Sequence, residues 1–390
     1  MRHYERVDNP LEQLSTAELR ARRSLKWRAY DRDVLPAWVA EMDVPLAPAI
    51  AAALTAAVAR GDTGYAHMGR LAEAFCGFAQ RRHGGWLPDP GRMRLVPDVN
   101  TAIGAVLPLV TGPGNSVVIN TPAYPPFART ITAVGRRVVA SPLRRDGNTG
   151  RYSLDLDRLA HDLGRRDVSA YLMCHPHNPT GLVATRAELV AIADLAEAHD
   201  VQVLVDEIHA PLSYPGVPFT PFASLPHAAA DAAVTFVSPS KAWHLPGLKA
   251  ALAVAPGDDG WATLRAMPSG HGAGLLGVIA GEAAYTDADD WLDALLAGLD
   301  SNRRLLATLL TERLPGAGYH PPDATYLAWL DLRALGLGDD PAGALLARGR
   351  VALAAGPSFG PEGLGFARLN FATSAARLAE AVTRMAAAVD

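Results

Sequence analysis

Residues 201–209 read VQVLVDEIH, an apolar run that ends in two carboxylates and, at position 209, a histidine. Apolar residues at successive positions predict a strand that is buried on both faces, as the strands of a parallel sheet are. Four other runs share this pattern: SVVINTP (116–122), RRVVASP (136–142), AYLMCHP (170–176) and AVTFVSPS (233–240). Helical stretches such as RAELVAIADLAEAHD (186–200) separate several of these runs. The sequence therefore predicts an α/β fold with a largely parallel sheet covered on both faces by helices.

The two ends of the chain have a different pattern. With 390 residues the chain is too long for one small core, and we expect two closely packed domains. The alternation of strands and helices occupies 46–285, which we interpret as the larger domain. Residues 286–390 begin with a long helical stretch, contain the strands ATYLAWLDL (324–332) and ARLNFA (367–372), and predict a smaller α+β domain. Residues 1–45 predict an N-terminal arm that packs with this smaller domain.

Composition and charge exclude several classes of function. The formal net charge of -4 gives no electrostatic reason to bind nucleic acid or an anionic membrane. No apolar run approaches the roughly 20 residues that a membrane span needs, and the charged N-terminal stretch lacks the apolar core of a secretory signal. Two cysteines, Cys76 and Cys174, are too few for a disulfide framework. We therefore expect a cytoplasmic protein that binds neither nucleic acid nor membrane.

Polar residues follow four of the predicted strands at the point where each strand ends. They lie at 120–124, 175–181, 206–209 and 238–241. Ligands of open α/β sheets bind beyond the carboxyl ends of the strands. One polar strand end is ordinary turn chemistry, but four that offer different chemical groups indicate one shared site.

The order of five motifs along the chain resembles that of a known family. The motifs are TPAY (121–124), HNPTG (177–181), VDEIH (205–209), SPSKAWHLPGLK (238–249) and ARLNFA (367–372). In this order they resemble the fold-type I, class I/II aminotransferase superfamily of pyridoxal 5'-phosphate (PLP) enzymes. LPAWVAEMD (35–43) and DEIH are also typical of its cystathionine β-lyase-like C–S lyase branch, and the resemblance runs from about Leu25 to the C-terminus.

The resemblance implies roles for three charged residues. Lys241 would form a Schiff base with PLP and later act as general base at the substrate Cα. Asp206, which ends an apolar strand, would pair with the pyridinium N–H of PLP, since a buried carboxylate needs a cation or donor as partner. Arg368, between apolar strand residues, would bind the substrate α-carboxylate through both prongs of its guanidinium.

Three further residues are expected around the cofactor ring. The resemblance implies that the side-chain amide of Asn178 donates to the phenolic oxygen of PLP and that Tyr124 stacks on the pyridine ring. His209 occupies the place where many aminotransferases carry a tyrosine near the same oxygen. A purely structural histidine is an equally good interpretation of His209, so both interpretations stay open.

The phosphate of PLP is expected at the N-terminus of a helix in PDVNTAIG (97–104), where backbone amides and the helix dipole favour an anion. The candidate groups are the amides of Val99 and Asn100, the hydroxyl of Thr101, the turn that contains Ser238 and Ser240, and Lys249. Lys249 stands where many transaminases have an arginine that binds the phosphate. Asp98 stands where the family often has glycine.

Tyr65, in TGYAHMG (63–69), resembles a tyrosine that reaches the phosphate of the neighbouring subunit. The residue lies in an early segment, well separated in sequence from the strand ends. The resemblance therefore implies a homodimer with shared active sites.

Two interpretations from other classes of protein are disfavoured. Ser238 and Lys241 match the S-x-x-K motif of serine β-lactamases and penicillin-binding proteins, but the partner motifs of that class are absent from the sequence. Cys174, His175 and His177 suggest a zinc site, but no spaced second pair of Cys or His residues follows them. We therefore expect no bound metal.

The strand ends predict the cofactor more directly than the reaction. We expect β-elimination, in which cystathionine or a cysteine S-conjugate is cleaved to a thiol, pyruvate and ammonia. An aminotransferase stays open, as does decarboxylation coupled to oxidative deamination of an S-conjugate in specialised metabolism. A PLP-fold regulatory protein is a further class, although the arm is too short for the winged helix of such regulators. His244, where the branch more often has asparagine, has no interpretation from the sequence.

Overall fold

A computed structural model describes residues 8–268 and 272–389 of the protein, so residues 1–7 of the predicted arm lie outside the described residues. The strands are β1 (Leu35–Pro36), β2 (Met93–Val96), β3 (Ser116–Thr121), β4 (Arg137–Pro142), β5 (Arg144–Arg145), β6 (Tyr152–Ser153), β7 (Val168–Cys174), β8 (Gln202–Asp206), β9 (Val234–Val237), β10 (Ala251–Val254), β11 (Gly318–Tyr319), β12 (Leu327–Asp331), β13 (Val351–Ala352), β14 (Ala354–Ala355) and β15 (Phe366–Asn370). The helices are α1 (Thr16–Ala21), α2 (Leu25–Arg28), α3 (Pro48–Ala59), α4 (Leu71–Arg82), α5 (Val99–Val110), α6 (Pro125–Ala133), α7 (Leu156–Leu163), α8 (Arg186–Ala198), α9 (Ala228–Ala232), α10 (Asp258–Ala266), α11 (Leu275–Asp287), α12 (Asp289–Arg313), α13 (Pro341–Gly349) and α14 (Ala375–Ala387).

A seven-stranded sheet holds the predicted strands of the larger part of the chain, in the order β2-β10-β9-β8-β7-β3-β4. Neighbouring strands from β9 to β4 run parallel, whereas β10 runs antiparallel to both β9 and β2. The prediction of a largely parallel sheet is confirmed. The sequence did not predict β2 and β10, because β2 mixes an arginine with apolar residues and β10 is a four-residue run of which half is alanine.

Successive residues of the central strands contact different apolar clusters on the two faces of this sheet. On β7, Leu172 packs with residues of α5 and α6, whereas Tyr171 and Met173 pack with residues of α7 and α8. On β8, Leu204 faces the first cluster and Val205 the second. Both faces of each strand are therefore buried, which explains why these strands are apolar at every position instead of at alternate ones.

The C-terminal part of the chain contains a four-stranded antiparallel sheet in the order β11-β12-β15-β14. Most of its apolar residues share one cluster with α12, α14 and the arm, whereas Trp329 and Phe366 pack with Phe359 in a separate, smaller cluster. The arm also joins this part through β1, which pairs in parallel with β13 at Leu35 and Val351. The domain boundaries at 45/46 and 285/286 stay predictions, although α11 and α12 meet at Ala288, close to the second boundary.

Within 8–268 and 272–389, every helix is too short or too polar to cross a bilayer.

Candidate active site

The carboxyl ends of β3, β7 and β8, together with the turn after β9, enclose a cavity of about 400 Å³. A parallel arrangement brings these ends to one edge of the sheet, so residues far apart in sequence meet there. The cavity is lined by Val99, Asn100, Thr101, Tyr124, Asn178, Asp206, His209, Ser238, Ser240, Lys241, Lys249 and Arg368. The structure thus brings together all the predicted site residues except Tyr65.

Lys241 lies in the turn that follows β9, and its amine points into the cavity region. The turn is closed by two backbone hydrogen bonds, from Trp243 to Pro239 and from Leu245 to Ser240, and the buried Trp243 anchors it in the core. Lys241 Nζ donates to the carbonyl oxygen of Ala40 at 3.2 Å. Desolvation, together with the positive charge of Arg368, lowers the pKa of Lys241 to about 8. A neutral, nucleophilic amine is therefore accessible close to neutral pH.

Asp206 is the last residue of β8 and is buried at the cavity. Its Oδ1 accepts a hydrogen bond from the Ile208 amide at 3.0 Å. Burial raises the pKa of Asp206 to about 7, although the Ile208 amide and the charge of Lys241 oppose this shift. A cation within the cavity would restore the carboxylate form, because a buried charge is stable only when it is compensated.

Arg368 projects from β15 and is buried beside Asn178. Its NH1 group donates to Asn178 Oδ1 at 2.9 Å and its NH2 group donates to the carbonyl oxygen of Trp38 at 3.1 Å. The guanidinium carbon lies 5.0 Å from the centre of the Phe359 ring, which packs against its face. Nε of Arg368 has no hydrogen-bond partner among the described residues. Burial lowers the pKa of Arg368 to about 10, so the group stays cationic at neutral pH.

Asn178 and Arg368 both keep N–H groups that can donate hydrogen bonds to a ligand. Because Asn178 Oδ1 accepts from Arg368, its amide nitrogen is the part of the side chain that is left to donate to a ligand. Arg368 keeps Nε and the remaining hydrogens of its amino groups, which suit a carboxylate.

Tyr124 and His209, the two predicted site residues with aromatic rings, line the same cavity together with Phe127. Tyr124 precedes α6 and packs edge-on against Phe127, with ring centres 5.5 Å apart. His209 is buried, and its Nδ1 has no hydrogen-bond partner within the described residues. Burial and the nearby charges of Lys241 and Arg368 lower the pKa of His209 to about 3. The imidazole is therefore neutral, and it lies where the sequence left both a cofactor contact and a structural role open.

The predicted phosphate end is the N-terminus of α5, and Asp98 already caps it. Asp98 Oδ1 accepts from the Thr101 amide at 2.8 Å and Oδ2 from the Thr101 hydroxyl at 3.0 Å. Lys249 Nζ lies 3.2 Å from Asp98 Oδ2. Thr101 and Lys249 therefore contact the Asp98 carboxylate in this structure. The amides of Val99 and Asn100, in the first turn of α5, are the donors that Asp98 leaves available for an anion.

Ser238 contributes to the turn rather than to the open part of the cavity. Its hydroxyl donates to the carbonyl oxygen of Ala250 at 2.8 Å and accepts from the Ser240 amide at 3.2 Å. In this rotamer the single hydroxyl hydrogen of Ser238 is donated to Ala250. Ser238 therefore has no hydrogen left to donate to a phosphate oxygen. Ser240, which is partly exposed at the cavity, keeps its hydroxyl available.

Tyr65 is 93% exposed and does not line the cavity of its own chain. It lies in the exposed stretch between α3 and α4. A residue that completes the site of a second subunit would have such a position.

The sequence did not reveal the part of the arm that forms one wall of the cavity. Val39 and Ala40 line it, and the carbonyl oxygens of Trp38 and Ala40 accept from Arg368 and Lys241. We call residues 38–44 the wall segment. Its contacts are made mostly by backbone groups, so residue types gave no signal beyond the motif LPAWVAEMD.

The histidines that suggested zinc have other partners. His175 Nε2 lies 3.2 Å from the carbonyl oxygen of Thr220, and its ring stacks on Phe219. His177 Nδ1 lies 2.9 Å from the Thr180 hydroxyl. Across the described residues, no group of three or more His, Cys, Asp or Glu side chains has a geometry that would hold a metal ion.

Comparison with known proteins places this site in a family. A family model described as aminotransferase class I and II matches residues 37–385. A putative cystathionine beta-lyase of Mycobacterium leprae is 46% identical over 400 residues, which cover 98% of this chain and 99% of the relative. The crystal structure of a putative PLP-dependent beta-cystathionase from Corynebacterium diphtheriae is 36% identical, covers 96% of this chain and 98% of its own, and superposes with a TM-score of 0.90.

A third similarity concerns a structure with its cofactor. Cystalysin from Treponema denticola, whose crystal structure contains pyridoxal 5'-phosphate, is 27% identical over 98% of both chains, with a TM-score of 0.91. The family model covers most of the chain, and the relatives match it over nearly its full length. The chain belongs to the class I and II aminotransferase family.

Proposed function

We propose that this chain is a PLP-dependent C–S lyase. It cleaves the Cβ–S bond of cystathionine or of a cysteine S-conjugate, and one water is consumed as the substrate becomes a thiol, pyruvate and ammonium. The observation that carries the proposal is one cavity that joins an amine of lowered pKa, a buried carboxylate and a buried guanidinium. The full-length similarity to a putative cystathionine beta-lyase supports the choice of reaction.

The residues of the cavity fit PLP group by group. Asp206 is buried and its pKa is raised, and the positive charge of a protonated ring nitrogen would stabilise its carboxylate form. Asn178 has an amide left to donate to the phenolic oxygen, and Tyr124 offers a ring face to the pyridine. The first turn of α5 offers Val99 and Asn100 amides to the phosphate, and Lys241 offers the amine that bonds to the aldehyde carbon.

Each charged residue has a separate task in the reaction. When bound, PLP supplies an electron sink for the electron pair left on the substrate Cα. Lys241 Nζ removes the Cα proton, a step for which a pKa of about 8 suits an amine that works near neutral pH. Arg368 holds the α-carboxylate and so fixes which bond of Cα faces Lys241. Asp206 keeps a negative charge beside the ring nitrogen, which favours its protonated form.

The proposed reaction is tested by giving the enzyme L-cystathionine without any keto acid. The purified protein with PLP is expected to release pyruvate, ammonia and homocysteine in equal amounts over many turnovers, and Lys241→Ala is expected to release none. An aminotransferase would convert its cofactor to the amine form once and then stop until a keto acid was added. Turnover that depends strictly on a keto acid, with no free thiol, would refute the lyase and leave an aminotransferase.

The proposed active unit is a homodimer located in the cytoplasm. Two observations support the dimer: Tyr65 lies exposed and outside its own cavity, and α3 contains no charged residue although Val58 on it is 57% exposed. An apolar helix face of this kind is commonly covered by another subunit. The two cysteines, both free and buried, suit a reducing compartment.

A further inference from the structure

The wall segment is fixed by side chains that bind its backbone. Asn370 donates to the carbonyl oxygens of Val39 and Glu41, at 2.8 and 2.5 Å. The Tyr326 hydroxyl donates to Ala40 O at 3.0 Å, beside the contact from Lys241 to the same oxygen. Because Arg368 and Lys241 also donate to this segment, its position and the positions of these two groups depend on one another.

His244 connects the wall segment to the turn that contains Lys241. The amide of Met42 donates to His244 Nδ1 at 3.2 Å. His244 is the last residue of that turn, three positions after Lys241. On its other side, His244 Nε2 lies 3.5 Å from Arg22, whose guanidinium also donates to the carbonyl oxygens of Met42 and Val44.

The state of His244 suits an acceptor. Burial, together with the positive charges of Arg22 and Lys26, lowers its pKa to about 3. The imidazole is therefore neutral at physiological pH, and its Nδ1 keeps a lone pair for the Met42 amide.

The backbone at position 244 limits which residues are compatible with this contact. His244 has a φ of +57°, in the left-handed region. Glycine adopts this region without strain, and asparagine, aspartate and histidine are the side chains most often found in it. Asparagine also places an acceptor oxygen at the same number of bonds from Cα as His244 Nδ1. Position 244 therefore calls for a residue that tolerates this conformation and carries a short acceptor.

We propose that His244 is a positioning residue that, through the Met42 amide, fixes the wall segment against the turn of Lys241. It does not touch the reacting atoms. It sets the wall that orients Arg368 toward the substrate carboxylate and Lys241 toward the cavity. This proposal rests on the proposed function in one respect: the measurement of KM uses the substrate of the proposed lyase.

Two substitutions separate the hydrogen bond from the backbone conformation. H244N keeps both the left-handed conformation and an acceptor, whereas H244G keeps the conformation and removes the acceptor. With the PLP-loaded enzyme and L-cystathionine, H244G is expected to raise KM by about three- to tenfold, the range that corresponds to one lost neutral hydrogen bond. Its kcat is expected to change less, and H244N is expected to stay close to the wild type.

Hydrogen–deuterium exchange gives a second readout that does not depend on turnover. In H244G the amides of residues 38–44 should exchange faster than in the wild type, with H244N again unchanged. If the wild type releases no thiol from cystathionine, the proposed function fails, and this exchange comparison still decides the role of His244. If H244G does not fold, H244A, which also lacks the acceptor, takes its place, and D200A, at another residue with a left-handed φ (+54°), controls for the backbone strain that alanine adds.

His83→Ala is the matched control for the loss of a buried histidine. His83 is buried against the rings of Phe78 and Phe219 and does not line the cavity. It is expected to lower Tm without changing KM or the exchange of 38–44. The proposal is overturned if H244G behaves like the wild type, if H244N and H244G are equally impaired, or if H83A reproduces the effects of H244G.

Discussion

At the scale of single residues, Asp206 carries the electronic part of the proposed chemistry. It is buried at the end of β8, with a pKa raised to about 7 and a backbone amide on Oδ1. Such a carboxyl gains its charge when a cation binds beside it. The same charge then holds the ring nitrogen of the cofactor in its protonated form.

The first prediction follows from that charge. Asp206→Asn keeps the shape of the side chain and removes the negative charge, so removal of the Cα proton should slow by about 100-fold or more, as when a preorganised charge is lost. Asp206→Glu keeps the charge and should retain part of the activity. The measurement is kcat with cystathionine for both variants at saturating PLP. An asparagine variant with normal kcat would show that the charge of Asp206 is not needed.

The second prediction concerns Lys241 before the cofactor binds. Only the neutral amine attacks the aldehyde of PLP, and the pKa of Lys241 is lowered to about 8 from the ordinary value of a lysine. The rate of PLP uptake by the apoenzyme should therefore rise as the pH increases and level off above about 8. Stopped-flow absorbance after mixing with PLP measures this rate. A rate that still rises steeply above pH 9.5 would mean that the amine is not perturbed.

At the scale of elements, the N-terminus of α5 combines a helix cap with the predicted phosphate site. Asp98 accepts from both the amide and the hydroxyl of Thr101 and pairs with Lys249. The cap stabilises α5, but its negative charge lies where an anion is expected to bind. The two effects are separable by substitution, because asparagine is as good a cap as aspartate and has no charge.

The third prediction uses this separation. Asp98→Asn should keep the cap, so the free energy of unfolding should fall by no more than about 0.2–1 kcal/mol, which is what a half-exposed ion pair contributes. The release of Lys249 should lower Kd for PLP by about two- to fivefold. Asp98→Ala should lower the free energy of unfolding by about 0.5–2 kcal/mol, because the cap is lost. Chemical denaturation and PLP titration of the apoenzyme measure the two quantities. Weaker PLP binding by the asparagine variant would contradict the proposed place of the phosphate.

How far the sequence predicts such elements depends on how they are buried. β7 and β8 were predicted because both of their faces are covered, which makes every position apolar, and their polar ends marked the cavity. β10 was missed because its small residues carry a weak pattern. The wall segment was missed because Arg368, Lys241 and Asn370 bind its carbonyl groups, and backbone contacts leave no trace in residue type.

At the scale of the whole molecule, the position of Tyr65 is the link between the fold and the proposed dimer. Tyr65 is exposed and does not line the cavity of its own chain, so a contact from it to a bound cofactor would have to be made in the cavity of a second copy. The exposed apolar face of α3, just before Tyr65 in the chain, is a suitable surface for that copy.

The fourth prediction tests the shared site with two inactive proteins. Lys241→Ala and Tyr65→Ala should each have little activity. When they are mixed under conditions that allow subunits to exchange, half of the dimers are hybrids, and each hybrid has one intact site. Activity should therefore return to about a quarter of the wild-type value per subunit. No recovery despite proven exchange, or a fully active monomer in sedimentation, would refute the shared site.

The central claim is that the cavity at the strand ends is the PLP site and that Lys241 is its point of attachment. Treatment of the purified, PLP-loaded protein with borohydride reduces the lysine–PLP linkage to a stable bond. Proteolysis and mass spectrometry then identify the modified lysine. We predict a single label on Lys241, loss of the visible absorbance band, and no label in Lys241→Ala. A label on another lysine, such as Lys249 or Lys26, or a protein that takes up no PLP, would contradict the account.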